Sequence, residues 1–273
     1  MMTPLDALAR VDVEDIGAVV FDLDDTVLDH GRLGEAAYSA LFRMREVGYA
    51  LFASTGRPAG WAEIVARQWP VDAALAENGA VAWVARGRGV ELFDTVSVDV
   101  RRTRRARLDA IVSELLERFP DITLADDNGA RKSDAAFDIG EHHHVEASRV
   151  EALRQAAHAL GARTFSSSVH AHVTLDGEDK ATGYLALASA LGADPASAYR
   201  TAAFIGDSAN DAPAFAAFGL TFGVANVERH RARLSVLPRF VARLEMGAGF
   251  AEIASRLCEL RAAAGPQARR FFK

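Results

Sequence analysis

Residues 16–26 read IGAVVFDLDDT, a short apolar run followed at once by Asp22, Asp24 and Asp25. The run from Ile16 to Phe21 is rich in β-branched residues, which predicts a strand buried on both faces. Strands of this kind occur in parallel sheets that are covered by helices. Carboxylates at the end of such a strand lie where open α/β sheets bind their ligands. The stretch therefore predicts a parallel sheet with a site at its carboxyl edge.

The segments around this stretch alternate between helix and strand patterns, which supports a parallel α/β sheet. The predicted elements are a helix over residues 33–44, strands over 49–53 and 71–76, a hairpin of 80–85 with 90–93, a helix over 181–191, and strands over 202–205 and 220–224. Pro58 suits the first turn of a further helix after the second strand.

Residues 97–176 show a different pattern, with two amphipathic helices among three strand candidates. This pattern is typical of an α+β unit inserted into the alternating fold. We therefore predict a core of residues 1–96 and 177–273 and an inserted domain of residues 97–176. Residues 265–273 are predicted to form a loose basic tail.

Composition excludes several classes of protein. Apolar residues make up 50% and charged residues 25% of the 273, which is typical of a globular chain. The net charge of −6 disfavours binding to nucleic acid or to an anionic membrane. No apolar run long enough to span a membrane is present, and the first residues lack the pattern of a secretory signal. The lone cysteine, Cys258, fits a reducing compartment, so we expect a cytoplasmic protein.

Polar side chains follow three of the predicted strands. An apolar run precedes each of three polar groups, which are Asp22 with Asp24, then Thr55, and then Asp207 with Asp211. Two acidic clusters at one sheet edge repel each other, and a hard divalent cation, most naturally Mg²⁺, relieves that repulsion. A metal between carboxylates, together with a hydroxyl and a lysine, is suited to phosphoryl transfer.

These residues resemble a known family. Residues 22–26 match the DxDxT signature of the haloacid dehalogenase-like (HAD) phosphatases, Thr55 matches their second motif, Lys180 their third, and residues 206–211 (GDSAND) their fourth. The resemblance implies a Rossmann-like α/β core with an inserted α+β cap. Because the insertion falls between the second and third motifs, the cap is of type 2. The strings STGR at 54–57 and ENGA at 77–80 are similar to the branch of Cof-type sugar phosphatases, sucrose-phosphate phosphatase and mannosyl-3-phosphoglycerate phosphatase.

The resemblance also implies the roles of the reacting groups. Asp22 is the expected nucleophile, forming an aspartyl phosphate, and Asp24 the general acid for the leaving alcohol and then the base for water. Lys180 and Mg²⁺ offset the charge of the phosphate. Thr55 and the backbone amide of Gly56 are expected to donate hydrogen bonds to the phosphoryl oxygens.

The remaining implied roles concern the metal and its surroundings. Asp22, the backbone carbonyl of Asp24, and Asp207 are the expected Mg²⁺ ligands. Asp211 is expected to orient Lys180 or a metal-bound water, and Asn210 to reach a phosphate or metal-shell oxygen. Arg57 is either a substrate contact or a structural ion pair, and the sequence leaves both open.

The function expected from these residues is Mg²⁺-dependent hydrolysis of a phosphomonoester, with a sugar phosphate as the small-molecule partner. One alternative is a phosphosugar mutase on the same fold. Another is a sugar- or nucleotide-binding module without activity, although such a module has no need of Asp24. Oligomeric state is not predicted.

Two further patterns fall in the inserted domain. Residues 101–107 hold five arginines in seven positions, at the start of a predicted helix. They form either an anion-binding patch or a solvated surface, and we favour the solvated surface. RNA binding through this run is opposed by the acidic net charge. His142, His143 and His144 are adjacent and cannot all face one ion, so we expect a solvated loop.

Overall fold

The computed structural model describes residues 2–167 and 169–262. The helices are α1 (Arg10–Val13), α2 (Glu35–Glu46), α3 (Ala59–Gln68), α4 (Val98–Arg118), α5 (Ala147–Ala159), α6 (Lys180–Ala190), α7 (Ala212–Ala217), α8 (Val227–His230) and α9 (Met246–Ala262). The strands are β1 (Thr3–Pro4), β2 (Ala18–Asp22), β3 (Leu28–Asp29), β4 (Arg32–Leu33), β5 (Ala50–Ser54), β6 (Ala73–Ala76), β7 (Val81–Arg86), β8 (Gly89–Asp94), β9 (Asp134–Asp138), β10 (Arg163–Ser166), β11 (His170–Thr174), β12 (Ala202–Gly206), β13 (Leu220–Gly223) and β14 (Phe240–Val241).

A nine-stranded sheet forms the core, in the order β1-β14-β13-β12-β2-β5-β6-β7-β8. The pairs from β1 across to β6 are parallel, and β7 and β8 add the predicted antiparallel hairpin. Strand β2 lies between β12 and β5, with Phe21 opposite Ile205 and Asp22 opposite Ser54. This order places the ends of the three strands that precede the predicted site side by side.

Both faces of the central strand β2 are covered, as its apolar composition predicted. Val19 and Phe21 pack into one apolar cluster with residues of α2, α3 and α9. Ala18 and Val20 point to the opposite face, where they pack with residues of α6 and α7. Because successive side chains of a strand alternate between faces, one five-residue strand contributes to both clusters.

A smaller antiparallel sheet, in the order β10-β11-β9, lies within the inserted segment. Its apolar face, which includes Phe137 and Val173, packs against Leu108 and Leu115 of α4 and Leu153 of α5. The predicted α/β fold class with an inserted α+β unit is therefore confirmed. The limits of the inserted domain at residues 97 and 176 stay a prediction.

Several elements were not predicted from the sequence, of which α9 is the longest. Phe250, Ile253, Ala254 and Leu257 are all buried and follow the spacing of a helical face, so the signal was present. The helix predicted over residues 33–44 begins later, because Leu33 pairs with Leu28 in the small hairpin of β3 and β4. None of the described helices is both long and apolar enough to cross a bilayer. The predicted basic tail, residues 265–273, lies outside the described residues.

Candidate active site

Three neighbouring strands deliver the predicted site residues to one edge of the sheet. Asp22 is the last residue of β2, Thr55 follows β5, and Asp207 follows β12. All three side chains are buried. The carboxyl edge of the parallel sheet therefore holds the cluster that the sequence predicted there.

Lys180 joins two of the carboxylates. It is the first residue of α6 and is fully buried, with its Nζ 2.7 Å from Oδ1 of Asp22 and 2.6 Å from Oδ1 of Asp211. The helix start is fixed by Asp179, whose carboxylate accepts from the backbone N–H groups of Ala181 and Thr182. Burial opposes the charge of Lys180, yet the two carboxylates hold the pKa of its ammonium above the ordinary value.

Asp211 is held by the turn that follows β12. Its Oδ2 accepts from the backbone N–H groups of Asp207, at 2.9 Å, and Ser208, at 3.0 Å. A Cβ on Gly206 would lie 2.5 Å from that same oxygen, so the turn requires glycine at this position. The GDSAND string is thus a tight turn that points Asp211 at Lys180.

The cluster carries more negative than positive charge. Asp22, Asp207 and Asp211 offer carboxylate oxygens within 4.8 Å of one another, against the single ammonium of Lys180. Burial, with the neighbouring carboxylates adding to it, raises the pKa of Asp22 to about 7 and that of Asp207 to about 8. The donor set is made of hard oxygens with an unbalanced charge, so it fits a divalent cation such as Mg²⁺.

The hydrogen bonds separate the carboxylates that are free to bind a cation from the one that is not. Both oxygens of Asp211 are engaged, by Lys180 and by two backbone N–H groups. Each oxygen of Asp207 accepts one neutral donor, from Thr26 at 3.2 Å and from Asn226 at 3.0 Å, which leaves a lone pair on each. Asp22 and Asp207 are therefore the side chains suited to hold the metal.

Asn226 lies at the site but was not predicted from the sequence. Its amide donates to Asp207 and to the backbone carbonyl of Asp25, and its side-chain oxygen accepts from the N–H of Met246. It lies beyond the end of β13, a fourth strand of the same parallel edge. The rule that polar residues after strands belong to the site would have found it.

Asp24 is not one of the three clustered carboxylates. Its carboxylate is 46% exposed and takes a fork from Arg57, with Nε 2.9 Å from Oδ2 and Nη2 2.6 Å from Oδ1. The Arg57 guanidinium also lies 4.1 Å from the ring centre of Trp61. Of the two alternatives for Arg57, the structure shows an ion pair, and its partner is the predicted general acid. The predicted contact of the Asp24 carbonyl with a metal stays a prediction.

Two hydrogen bonds from backbone N–H groups hold the loop that contains Thr55. Thr55 donates its N–H to the carbonyl of Leu75, and its hydroxyl oxygen accepts from the N–H of Arg57 at 3.1 Å. The hydroxyl proton then remains to be donated to a ligand oxygen. Asn210, by contrast, accepts from the Ser208 hydroxyl at 2.7 Å and lies 3.5 Å from Nζ of Lys180.

The arginine run of residues 101–107 is only in part the solvated surface that we favoured: Arg102 and Arg107 are exposed, whereas Arg101 and Arg104 are partly buried. Arg101, only 12% exposed, takes Asp94 in a fork and also binds Asp176, and Arg104 binds Asp176 as well. Asp94 is the last residue of β8, and Asp176 lies two residues beyond the end of β11. The expectation of a solvated surface is therefore wrong for Arg101, whose charge is neutralised within the chain.

The three adjacent histidines are exposed, as expected. His142 contacts Asp126, and His144 lies 3.9 Å from Glu146. Groups of three or more His, Cys, Asp or Glu side chains can share a metal ion when their ligand atoms lie close together. Among residues 2–167 and 169–262, the acidic cluster of Asp22, Asp207 and Asp211 is the one such group.

Comparison with solved structures shows similar folds in three organisms. Protein 0175 of Thermoplasma acidophilum has a TM-score of 0.71 at 19% identity, covering 90% of this chain and 99% of that one. BT1666 of Bacteroides thetaiotaomicron, studied among phosphatases of the HAD superfamily, has a TM-score of 0.65 at 18% identity, covering 90% and 96%. The sucrose-phosphatase of Synechocystis sp. PCC6803, solved with sucrose and phosphate, has a TM-score of 0.60 at 16% identity, covering 88% and 97%.

Sequence comparison gives the family. No curated protein sequence matches the chain. The sequence model of the haloacid dehalogenase-like hydrolases matches residues 16–219, which include all four motifs and the inserted unit. The resemblance read from the motifs is thus confirmed, and the chain belongs to the haloacid dehalogenase-like hydrolase family.

Proposed function

We propose that this hydrolase is a Mg²⁺-dependent phosphatase that acts on a sugar phosphate through an aspartyl phosphate on Asp22. The observation that carries the proposal is the buried ion cluster in which Lys180 bridges Asp22 and Asp211, beside Asp207. Family membership supports a phosphatase, since the residues of this cluster stand at the motif positions of the resemblance and all lie within the matched residues 16–219. Small phosphorylated molecules in a cytoplasmic setting remain the expected partners.

Asp22 is the group that attacks phosphorus. A carboxylate approaching a phosphate dianion is repelled, and the ammonium of Lys180, 2.7 Å away, offsets that repulsion. Bound Mg²⁺, held by Asp22 and Asp207, would supply further positive charge to the phosphoryl oxygens. Thr55 and the amide of Gly56 orient those oxygens, and Asp211 keeps Lys180 in place.

Asp24 and Arg57 act at the mouth of the site. A guanidinium fits the oxygens of a phosphate as well as those of a carboxylate. An incoming phosphate therefore competes with Asp24 for Arg57, and Asp24 is released to face the leaving oxygen. Once released, the half-exposed Asp24 takes up a proton from solvent and donates it to that oxygen, and it then takes a proton from the water that attacks the aspartyl phosphate.

The sugar phosphate as substrate class has two supports. The strings STGR and ENGA resemble the sugar phosphatase branch. The fold also resembles that of a sucrose-phosphatase that was solved with sucrose and phosphate.

The experiment is a phosphate-release assay with p-nitrophenyl phosphate and a panel of sugar phosphates that includes sucrose-6-phosphate and mannosyl-3-phosphoglycerate. We expect release that depends on Mg²⁺ and stops with excess EDTA. Conversion of one sugar phosphate to its isomer without free phosphate would instead indicate a mutase. Binding without any turnover would indicate the inactive module.

A further inference from the structure

The turn after β6 has an unusual backbone. Glu77, Asn78 and Gly79 all lie in the left-handed region, with φ of 51°, 55° and 99°. This region is uncommon for residues other than glycine, so surrounding contacts must hold the turn in place. Two of those contacts are with residues 55–57, the loop proposed above to bind phosphate: the N–H of Glu77 donates to the carbonyl of Arg57, and that of Asn78 to the carbonyl of Thr55.

The Glu77 side chain joins the core to the inserted unit. It is only 3% exposed, and its carboxylate accepts from the backbone N–H groups of Lys132, Ser133 and Asp134 and from the Ser133 hydroxyl at 2.6 Å. The same carboxylate accepts from the N–H of Ala59, at the start of α3. Within the part of the chain that the structure describes, no ion pair to a basic side chain balances its charge.

Arg131 makes the reverse contact, from the inserted unit to the core. Its Nη1 donates to the carbonyl of Gly56 at 3.2 Å. The guanidinium is buried and fixed by Asp127, in a fork with both distances 2.8 Å, and by Asp134 at 3.0 Å. Arg131 therefore binds the 55–57 loop directly, whereas Glu77 links residues 132–134 to that loop through the backbone of its own turn.

The same turn also reaches the helix that carries Lys180. A Cβ on Gly79 would lie 2.6 Å from the carbonyl oxygen of Asp179, and one on Gly183 would lie 2.4 Å from Cα of Gly79. The turn and α6 thus pack backbone to backbone. The turn of residues 77–79 therefore contacts the 55–57 loop, helix α6 and the inserted unit.

We propose that Glu77 is a positioning residue that holds residues 131–134 against the 55–57 loop. In this role it keeps the inserted unit docked there and keeps the 55–57 loop in the shape that binds phosphate. The effect on catalysis rests on the proposed phosphatase function, whereas the docking of residues 131–134 by Glu77 does not. Moving the inserted unit away would leave the buried Glu77 carboxylate without its donors in residues 132–134 and would break the bond from Arg131 to the Gly56 carbonyl, which is unfavourable.

The test is amide hydrogen exchange of the full chain without substrate, comparing wild type with Glu77→Gln. We expect the amides of residues 132–134 to exchange at least about tenfold faster, because hydrogen bonds to a charged acceptor are lost, while amides of β2 and β12 keep their rates. Glu63→Gln is the matched control, since Glu63 pairs on the surface of α3 with Arg67 and contacts neither segment. Unchanged exchange at 132–134, or an equal rise throughout the chain, would overturn the proposal.

Two further measurements complete the test. If Glu77→Gln does not fold, Ser133→Ala removes the 2.6 Å hydroxyl bond alone, and its exchange at 132–134 must still rise for the proposal to stand.

Binding of inorganic phosphate to Glu77→Gln should weaken by about tenfold, because a displaced loop misplaces its donors. Unchanged phosphate binding alongside faster local exchange would overturn the coupling to the loop. Lack of phosphatase activity in the wild type would contradict the proposed function. The exchange result would then still decide whether Glu77 docks residues 131–134.

Discussion

At the scale of single residues, the site separates two carboxylates that lie two positions apart in the chain. Asp22 is buried against Lys180, whereas Asp24 is half exposed and paired with Arg57. A buried carboxylate beside an ammonium suits a nucleophile, and an exposed one at the mouth suits proton exchange with a leaving group. The different surroundings therefore support different roles.

Asp24→Asn should slow hydrolysis of a sugar phosphate far more than that of p-nitrophenyl phosphate. A p-nitrophenolate leaves without a proton, whereas a sugar alkoxide needs one, and general acid catalysis is worth about 10²–10⁴ in rate. The measurement is kcat of both substrates for wild type and variant. Equal losses on the two substrates would contradict the acid role.

Arg57→Ala should weaken binding of the phosphate more than it slows the chemical step. We expect KM to rise by about tenfold or more, because charge-assisted bonds to the phosphate are lost, and kcat to change less. Arg57→Lys should restore only part of this, since an ammonium cannot form the fork. A fall in kcat at unchanged KM would show that Arg57 serves only to orient Asp24.

At the scale of elements, the strand ends could be predicted from the sequence, and most of what surrounds them could not. Apolar runs followed by Asp22, Thr55 and Asp207 mark three neighbouring strands, because burial on both faces demands apolar residues throughout. The Arg57 pair with Asp24 and the bond from Asn226 to Asp207 join residues far apart in the chain. No local periodicity reports such contacts. Arg101 shows the same limit: its partner Asp176 is 75 positions away.

Gly183→Ala tests the packing of α6 on the turn of residues 77–79. The added methyl group would lie 2.4 Å from Gly79, so the helix that carries Lys180 must shift. We expect a lower melting temperature and a loss of kcat of about tenfold or more, since small displacements of catalytic groups are costly. Gly129→Ala is the control, because its Cβ would meet open space and its φ is not positive. A Gly183→Ala enzyme with wild-type stability and kcat would show that this contact is not needed.

At the scale of the whole molecule, the buried carboxylates link stability to pH and to metal. The pKa of Asp22 is raised to about 7 and that of Asp207 to about 8, while both are near 3.8 when unfolded. Between those values the folded state binds more protons than the unfolded one, so the free energy of unfolding falls as pH rises through about 4 to 8.

The metal-free protein should therefore melt at a lower temperature at pH ~8.5 than at pH ~6. A divalent cation binds the ionised carboxylates, so Mg²⁺ should raise the melting temperature more at the higher pH. Thermal melts in EDTA and in Mg²⁺ at both pH values make the measurement, with Asp207→Asn as the variant in which the Mg²⁺ effect is lost. An equal effect of Mg²⁺ at both pH values would contradict the assignment of the cluster as its site.

The most direct test of the account is to trap the covalent intermediate. The protein is mixed with Mg²⁺ and p-nitrophenyl phosphate, quenched in acid during turnover, digested and analysed by mass spectrometry. We expect one phosphoryl group on the peptide that contains Asp22, and no such peptide in Asp22→Asn, whose kcat should fall by at least about 10³. Asp25→Asn should behave as wild type, since the Asp25 side chain contacts His30 outside the cluster and asparagine tolerates its φ of 53°. Continued turnover by Asp22→Asn, or a phosphoryl group on another residue, would contradict the central claim.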